Sequence, residues 1–270
     1  MSRKNWTNEK LFFRLVNNKS EKTYWDNIQV LRSRPTKETF SQCKKFLKSK
    51  GAKKRTIAVD VMAQLGLPPR PFYEETVQLL FGLLEKETNE KVIWSTLYAL
   101  GHNNEGFNEA QILLLRRFQN NENTDIRHAL VCALLGVEDR TAIDTLIYLA
   151  KDKDPSTRDW ATFGLGSQIE TDNEEIRQAL WERTNDKDKT TRFEAIAGLA
   201  QRKDPRVKSI LKNELEQIDG QGSIILESIG SYGDKDFIQL LEKQIALNKI
   251  TNQVNEKWLL DSLETIKTNT

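Results

Sequence analysis

The densest chemistry in the sequence lies between Lys44 and Arg55, where Lys-Lys-Phe-Leu-Lys-Ser-Lys-Gly-Ala-Lys-Lys-Arg sets seven cations in twelve positions. Cations at that density can hold phosphates by charge alone. Phe46 and Leu47 fall where a helix would turn them toward its core, not where they would stack on bases. The pI of about 8.4 lies below the range of dedicated nucleic-acid binders. The cluster is therefore read first as a solvated face or a partner for acids elsewhere in the chain, and second as a nucleic-acid contact. Residues 1–55 hold sixteen Lys/Arg against four acids, a net +12, while the remainder holds 25 against 35, a net −10. A basic end and an acidic remainder can meet partners of opposite sign, or each other.

Residue types for catalysis are sparse. His102 and His128 are the two histidines, and neither belongs to a close ligand pair such as HExxH. A zinc site from both plus a carboxylate is the one metal geometry left open. Ser231 stands in Gly-Ser-Tyr-Gly, which is not the G-x-S-x-G elbow, and no strand precedes it. Gly164-Leu165-Gly166 and Gly220-Gln221-Gly222 resemble half a phosphate loop but lack the third glycine and the strand–turn–helix setting; helix ends explain them better. Paired acids such as Glu85/Glu87 and Glu174/Glu175 can do acid–base work only where burial splits their pKa values, and on amphipathic helices they are solvated. The reading is a non-enzyme with no catalytic residue, no metal, no cofactor and no small-molecule substrate.

The elements that would position these residues are helical hairpins. Five segments close on a similar apolar–small pattern: VDVMAQLG (59–66), STLYALG (95–101), LVCALLG (130–136), WATFGLG (160–166) and EAIAGLA (194–200); ILESIG (225–230) is a weaker sixth. The closing small residues are 35, 35, 30, 34 and 30 positions apart, one helix pair per repeat. Ile143, Leu146, Ile147 and Ala150 share one helix face, as do Phe193, Ile196, Ala197 and Ala200. Asp154-Pro155 and Asp204-Pro205 each set a capping acid before a proline at the first helical position. The glycines after the first helices suit left-handed C-caps. The spacing predicts a helix over 8–17, then pairs at 24–33/36–49, 52–65/72–86, 90–101/107–119, 124–136/140–151, 156–167/173–184, 189–201/205–217 and 221–231/235–247, and a last helix over 253–267.

DPSTRDWATFGLG (154–166) and DKTTRFEAIAGLAQRKDPRV (188–207) resemble bacterial HEAT repeats of the phycobilisome-lyase-like class, through the Arg, the small residues, the Leu-Gly end and the following Asp. The resemblance covers most of 51–247. It implies an all-α, HEAT/armadillo-like solenoid of about seven helical pairs. One array is expected over 1–270, with an atypical basic N-terminal cap (1–50), HEAT-like repeats (51–247) and a C-terminal capping helix (248–270). Trp160–Ala161, Arg202–Asp204 and Gly233–Lys235 resemble a subgroup associated with Rhs-type polymorphic toxins, which implies a toxin-neutralising partner role. HEAT-repeat hydroxylases bind iron through His-Glu pairs; here His102-Asn103 and His128-Ala129 stand instead. HEAT-like DNA glycosylases set aromatic residues and an Asp in a basic groove; Trp25-Asp26 and Asp159-Trp160 join those types, but the Trp-x-x-x-Asp pairing is absent, and Trp94 and Trp160 read as packing residues. Arg158 and Arg192, with Arg127 in register, resemble the arginines that join acids of the adjacent repeat in a ladder.

The leading expectation is a scaffold binding a protein partner, with nucleic acid as the second partner class and a lyase- or glycosylase-like enzyme as the third reading. In HEAT arrays the second helix of each pair lines the binding side; here those helices offer Asn173, Glu174, Arg177 and Gln178, or Lys208, Lys212 and Glu216. The expected partner contacts are Lys44, Lys45, Lys48, Lys53, Lys54 and Arg55 in the basic segment, with Arg158, Asp159, Arg177 and Arg192 in the repeats. Met1–Lys10 is polar and basic, unlike a secretory signal. No segment reaches the ~20 apolar residues that span a bilayer, so no membrane partner is expected. Cys43 and Cys132 have no framework spacing and read as reduced thiols in a cytoplasmic protein.

Overall fold

The computed structural model describes residues 2–268, which hold sixteen α-helices and no strand. They divide at Val137/Glu138 into two compact units. The fold class is an α-solenoid.

In the first unit a short turn at Arg3–Asn5 leads into α1 (Asn8–Val16), α2 (Glu21–Arg32), α3 (Lys37–Leu47), α4 (Ala52–Met62), α5 (Tyr73–Leu84), α6 (Glu90–Gly101), α7 (Glu109–Arg116) and α8 (Thr124–Leu134). First helices stack on first helices: α2 on α4, α4 on α6, α6 on α8. That sandwiching buries every residue of α4 from Thr56 to Met62, so the helix is apolar on nearly all sides rather than along one stripe.

The second unit holds α9 (Arg140–Leu149), α10 (Pro155–Phe163), α11 (Glu174–Arg183), α12 (Lys189–Gln201), α13 (Val207–Glu216), α14 (Ser223–Tyr232), α15 (Phe237–Thr251) and α16 (Glu256–Thr268). It repeats the plan, with α10 on α12, α12 on α14 and α14 on α16. Its first helices approach closely at glycine. A Cβ at Gly198 would stand 2.5 Å from the Cα of Gly166, a separation no side chain tolerates. Gly166 belongs to a wide π-type turn, Gly164–Gln168, that closes α10. Arg202 gathers the carbonyls this turn releases, donating to Gly166 O at 2.8 Å, Leu165 O at 2.9 Å and Ile169 O at 3.2 Å. The left-handed C-cap expected of the closing glycines holds at Gly66 (φ 84°) and Gly136 (φ 74°). At Gly166 the reason for glycine is helix contact.

Helix starts follow their caps. Asp154 accepts from Thr157 N at 2.8 Å with Pro155 in the first turn. Ser20 accepts from Thr23 N, so α2 begins at Glu21, ahead of the expected residue 24. Asp204-Pro205 behaves otherwise. Lys203 takes a left-handed φ of 51°, and buried Asp204 accepts from Arg206 N at 3.0 Å. The next helix then starts at Val207 without a side-chain cap.

Candidate binding groove

Four first helices present one recurring backbone device. The fourth residue after the N-cap of α4, α8, α10 and α12 is arginine, and each arginine donates to the carbonyls five and six residues behind it. Arg55 bonds Ser49 O and Lys50 O at 2.8 and 2.9 Å; Arg127 bonds Asn121 O and Glu122 O at 2.7 and 3.2 Å. Arg158 bonds Asp152 O and Lys153 O at 2.9 and 3.4 Å, and Arg192 bonds Asp186 O and Lys187 O at 2.8 and 3.2 Å. The guanidinium thus clamps the loop that enters its own helix, using the fork of donors lysine lacks. Arg55 and Arg158 also reach a carboxylate in the next repeat: Arg55 grips Glu87 at 2.6 and 2.9 Å, and Arg158 grips Asp186 at 2.8 Å through both nitrogens. These contacts hold the Glu87 and Asp186 carboxyls below the usual carboxylate range against the opposing effect of burial. Arg177 is likewise engaged, with Asp172 at 2.6 Å and Arg202 O at 2.7 Å.

The basic segment is partly spoken for. Lys44 pairs with Glu75 at 2.8 Å, Lys53 donates to Asn18 O at 2.9 Å, and Lys54 lies over the Phe46 ring. Lys45 and Lys48 are exposed at the C-terminal end of α3, where the helix dipole favours cations. Asp159 is half-buried beside Asp186 and Asp188, which together with burial raise its pKa; its Oδ1 has no hydrogen-bond partner among the described residues.

A concavity of the first unit lies elsewhere. A groove of ≈ 870 Å³ opens over the N-terminal halves of α2, α4, α6 and α8. Its shape follows from residues at one offset, the fifth after each N-cap: Trp25 on α2, Thr56 on α4, Trp94 on α6. A small residue between two indoles leaves a depression above α4. Trp25 is 39% exposed, and Trp94 is half-buried with its ring edge-on to Tyr98 at 4.8 Å. On the floor is Asp60, 7% exposed. Tyr24 Oη donates to one carboxylate oxygen at 2.5 Å, and Ser95 Oγ donates to the other. Arg32 Nε donates to Asp60 O at 2.9 Å and its ring-facing guanidinium lies 5.7 Å from the Trp25 centroid. Burial pushes the Asp60 carboxyl up, opposed by these hydrogen bonds and by Arg32 and Lys91. The same burial, with Asp60 nearby, pushes the Tyr24 hydroxyl up.

Chemically the groove offers two flat apolar faces, a fixed acceptor at the floor, and lysine and carboxylate side chains at the rim. Of the residues singled out by type, Trp25, Trp94 and Lys53 meet here. Asp26 does not: it pairs with Arg3 at 2.7 Å, and Asp60 takes its place beside Trp25. The second helices α5 and α7 contribute no lining; the first helices do, and neither Trp94 nor Trp160, 41% exposed, is a core residue. Asp60, Tyr24 and Ser95 escape sequence reasoning because they come from three separate helices. The available signal was an aspartate inside the apolar run Val59-Asp60-Val61, a position where charge is rarely buried without partners.

Among the described residues no group of His, Cys, Asp and Glu is placed to hold a metal ion, and no helix is long and apolar enough to cross a membrane. Among the described residues Cys43 and Cys132 are both free thiols.

Comparison with known proteins agrees with this architecture. Residues 143–217 match the HEAT repeats family. Protein YibA of Escherichia coli (strain K12) is 36% identical over 124 residues, which are 46% of this chain and 44% of YibA. The matched stretch thus spans under half the length of that relative. The X-ray structure of YibA superposes with a TM-score of 0.78 at 22% identity, covering 98% of this chain and 94% of that one. An engineered protein superposes with a TM-score of 0.54 at 15% identity, over 95% of this chain and 77% of its own. The chain matches HEAT repeats over residues 143–217 and is similar to YibA, in sequence over 124 residues and in fold over nearly its whole length.

Proposed function

We propose that this chain is a non-catalytic scaffold that binds a protein partner, and that the groove over α4 is its principal contact in the first unit. The observation that carries this reading is the placement of Trp25 and Trp94. Indoles are costly to leave in water, yet both stand on the open side of stacked helices whose aliphatic side chains are mostly buried. Aromatic anchors around a depression, rimmed by mixed charge, are the composition of a protein-recognition surface. The arginines Arg55, Arg158 and Arg177 serve the fold in this reading. Lys53 lines this groove; Lys44, Lys45, Lys48 and Lys54 outside it, and Asp159 and Arg192 in the second unit, remain proposed partner contacts that set on-rate more than affinity. The finer proposal is a cytoplasmic immunity or adaptor protein whose partner is a toxin; it rests on the sequence resemblance alone.

The test is an affinity capture of the tagged, nuclease-treated chain from its native extract, read by mass spectrometry, beside a Trp25→Ala/Trp94→Ala variant. The expected result is one stoichiometric protein, lost with the variant. If the chain comes down alone and sheds only nucleic acid on nuclease treatment, the scaffold reading fails and the cations at 44–55 become the site.

A further inference from the structure

We propose that the groove over α4 is a receptor for an arginine side chain of the partner, with the guanidinium seated on the Asp60 carboxylate between the faces of Trp25 and Trp94. This rests on the protein-binding reading and names the chemistry of its central contact. Four features of the groove point to a cation of that shape.

Asp60 accepts one hydroxyl on each carboxyl oxygen, from Tyr24 and from Ser95, and a carboxylate oxygen has room for a second donor. Two such sites side by side match the paired donors of a guanidinium. The carboxylate is also fixed: its two hydroxyl donors come from α2 and α6, on either side of α4, which holds the acceptor in place before anything binds. A preorganised acceptor spares the ligand the cost of ordering it.

Second, the walls suit a delocalised cation. A guanidinium is weakly hydrated and lies well against indole faces, and this molecule already shows the contact, with Arg32 5.7 Å from the Trp25 centroid. Third, at ≈ 870 Å³ the groove has room for a long side chain and for the backbone that carries it. Fourth, a buried carboxylate without a full counter-charge is costly, and an entering guanidinium removes that cost.

The first unit as a whole is basic, which on its face favours an anion. The lining itself carries Lys19, Lys53 and Lys91 against Glu21, Asp60, Glu90 and Asp125, three cations to four acids, and the basic excess lies elsewhere. Lys37, Lys44, Lys45 and Lys48 are on or just after α3, which contributes no lining residue. Charges separated by more than about 8 Å are largely screened at physiological salt. The local pattern at the floor decides.

The experiment is calorimetric titration of the full chain with three probes: a capped hexapeptide alternating Arg and Ser, its Glu/Ser counterpart, and a dT dodecamer. The Arg peptide should bind at least tenfold tighter than the Glu peptide. Asp60→Asn and Trp94→Leu should each weaken it tenfold or more, and Trp25→Leu, an exposed change, should do the same with an unaltered melting temperature, which covers the case where Asp60→Asn unfolds. Equal binding of the two peptides, or undiminished Arg-peptide binding by Trp25→Leu and Trp94→Leu, overturns the assignment. So does a dT dodecamer that outcompetes the Arg peptide and depends on Trp25, which would make the groove a base-stacking site. A native partner captured equally by wild type and by a folded Asp60→Asn chain overturns this inference while the scaffold reading stands. Absence of any partner for wild type sinks the scaffold reading, and the peptide titration then decides the groove by itself.

Discussion

Glu194 on α12 allows a quantitative test of the electrostatics of the second unit. Burial and the facing Asp159 of α10 push its carboxyl up to about 7. Asp159 ionises first, and its charge then opposes ionisation of Glu194, so the upper titration belongs to the pair. With an unfolded value of 4.5, the native state holds a proton between pH 4.5 and 7 that the unfolded chain releases. Stability therefore falls as pH rises across that window: the penalty is absent below 4.5 and complete above 7. A full shift of that size would correspond to about 3.4 kcal/mol at 1.36 kcal/mol per unit. Glu194 is partly solvated, and screening reduces the figure to about 1–2 kcal/mol. Glu194→Gln removes the charge and keeps the shape. At pH 8.5 the variant should be more stable than wild type by about 1–2 kcal/mol in urea unfolding, and near pH 4.5 the two should coincide. Carboxyl-carbon NMR should place the midpoint near 7 and return it toward 4.5 in Asp159→Asn. A stability gap of the same size at both pH values would refute the reasoning.

Gly198→Ala sets a Cβ 2.5 Å from the Gly166 Cα; the helices must part, and urea unfolding should show a loss of about 2–3 kcal/mol. Arg202→Met strands the carbonyls of the π-type turn that this guanidinium now satisfies, and the expected loss, about 3 kcal/mol, should appear with accelerated amide exchange around residues 164–171. Asn27 is fully buried and neither of its side-chain polar atoms is hydrogen-bonded among the described residues; Asn27→Leu should raise stability by about 1 kcal/mol, and a decrease in urea midpoint would show that the amide has a partner. Cys43 is buried and its thiol is pushed up to about 12, so alkylation in native conditions should follow global opening rather than thiolate formation, and its rate should track denaturant.

The repeat itself was legible because stacking imposes a length and a sequence pattern on every pair. The Leu-Gly endings located the first helices, and capping chemistry located starts such as Asp154-Pro155. The identical-looking Asp204-Pro205 misled, since whether an aspartate caps a helix depends on the backbone just before it: Lys203 at φ 51° turns Asp204 toward Arg206 instead. Glycine was legible as a small residue but not in its role, because Gly66 answers to its own φ whereas Gly166 answers to a helix some thirty residues away. The groove was illegible for a related reason. Trp25, Thr56 and Trp94 line up only when their offsets from three N-caps are known, and their spacings of 31 and 38 residues match no single period.

In a repeat protein, recurrence separates structural residues from functional ones. A residue that recurs at the same offset in several repeats is explained by what every repeat needs. The arginine four after the N-cap is such a residue: it clamps the entering loop of α4, α8, α10 and α12. Function must then be sought where the offsets are filled unlike their neighbours. α6 has Ile93 in place of the arginine and Trp94 beside it. The ninth position after the N-cap is Tyr98 in α6, Cys132 in α8 and Phe163 in α10, but the acid Asp60 in α4. α2 has Tyr24 and Trp25 at the fourth and fifth. Asp60 ties α4 to α2 and α6 through Tyr24 and Ser95, but nothing in that stacking calls for an indole at 25. These departures lie on three consecutive first helices and converge on one depression, although no sequence proximity requires them to. Convergence of departures, rather than the repeats themselves, is the argument that this face meets a partner.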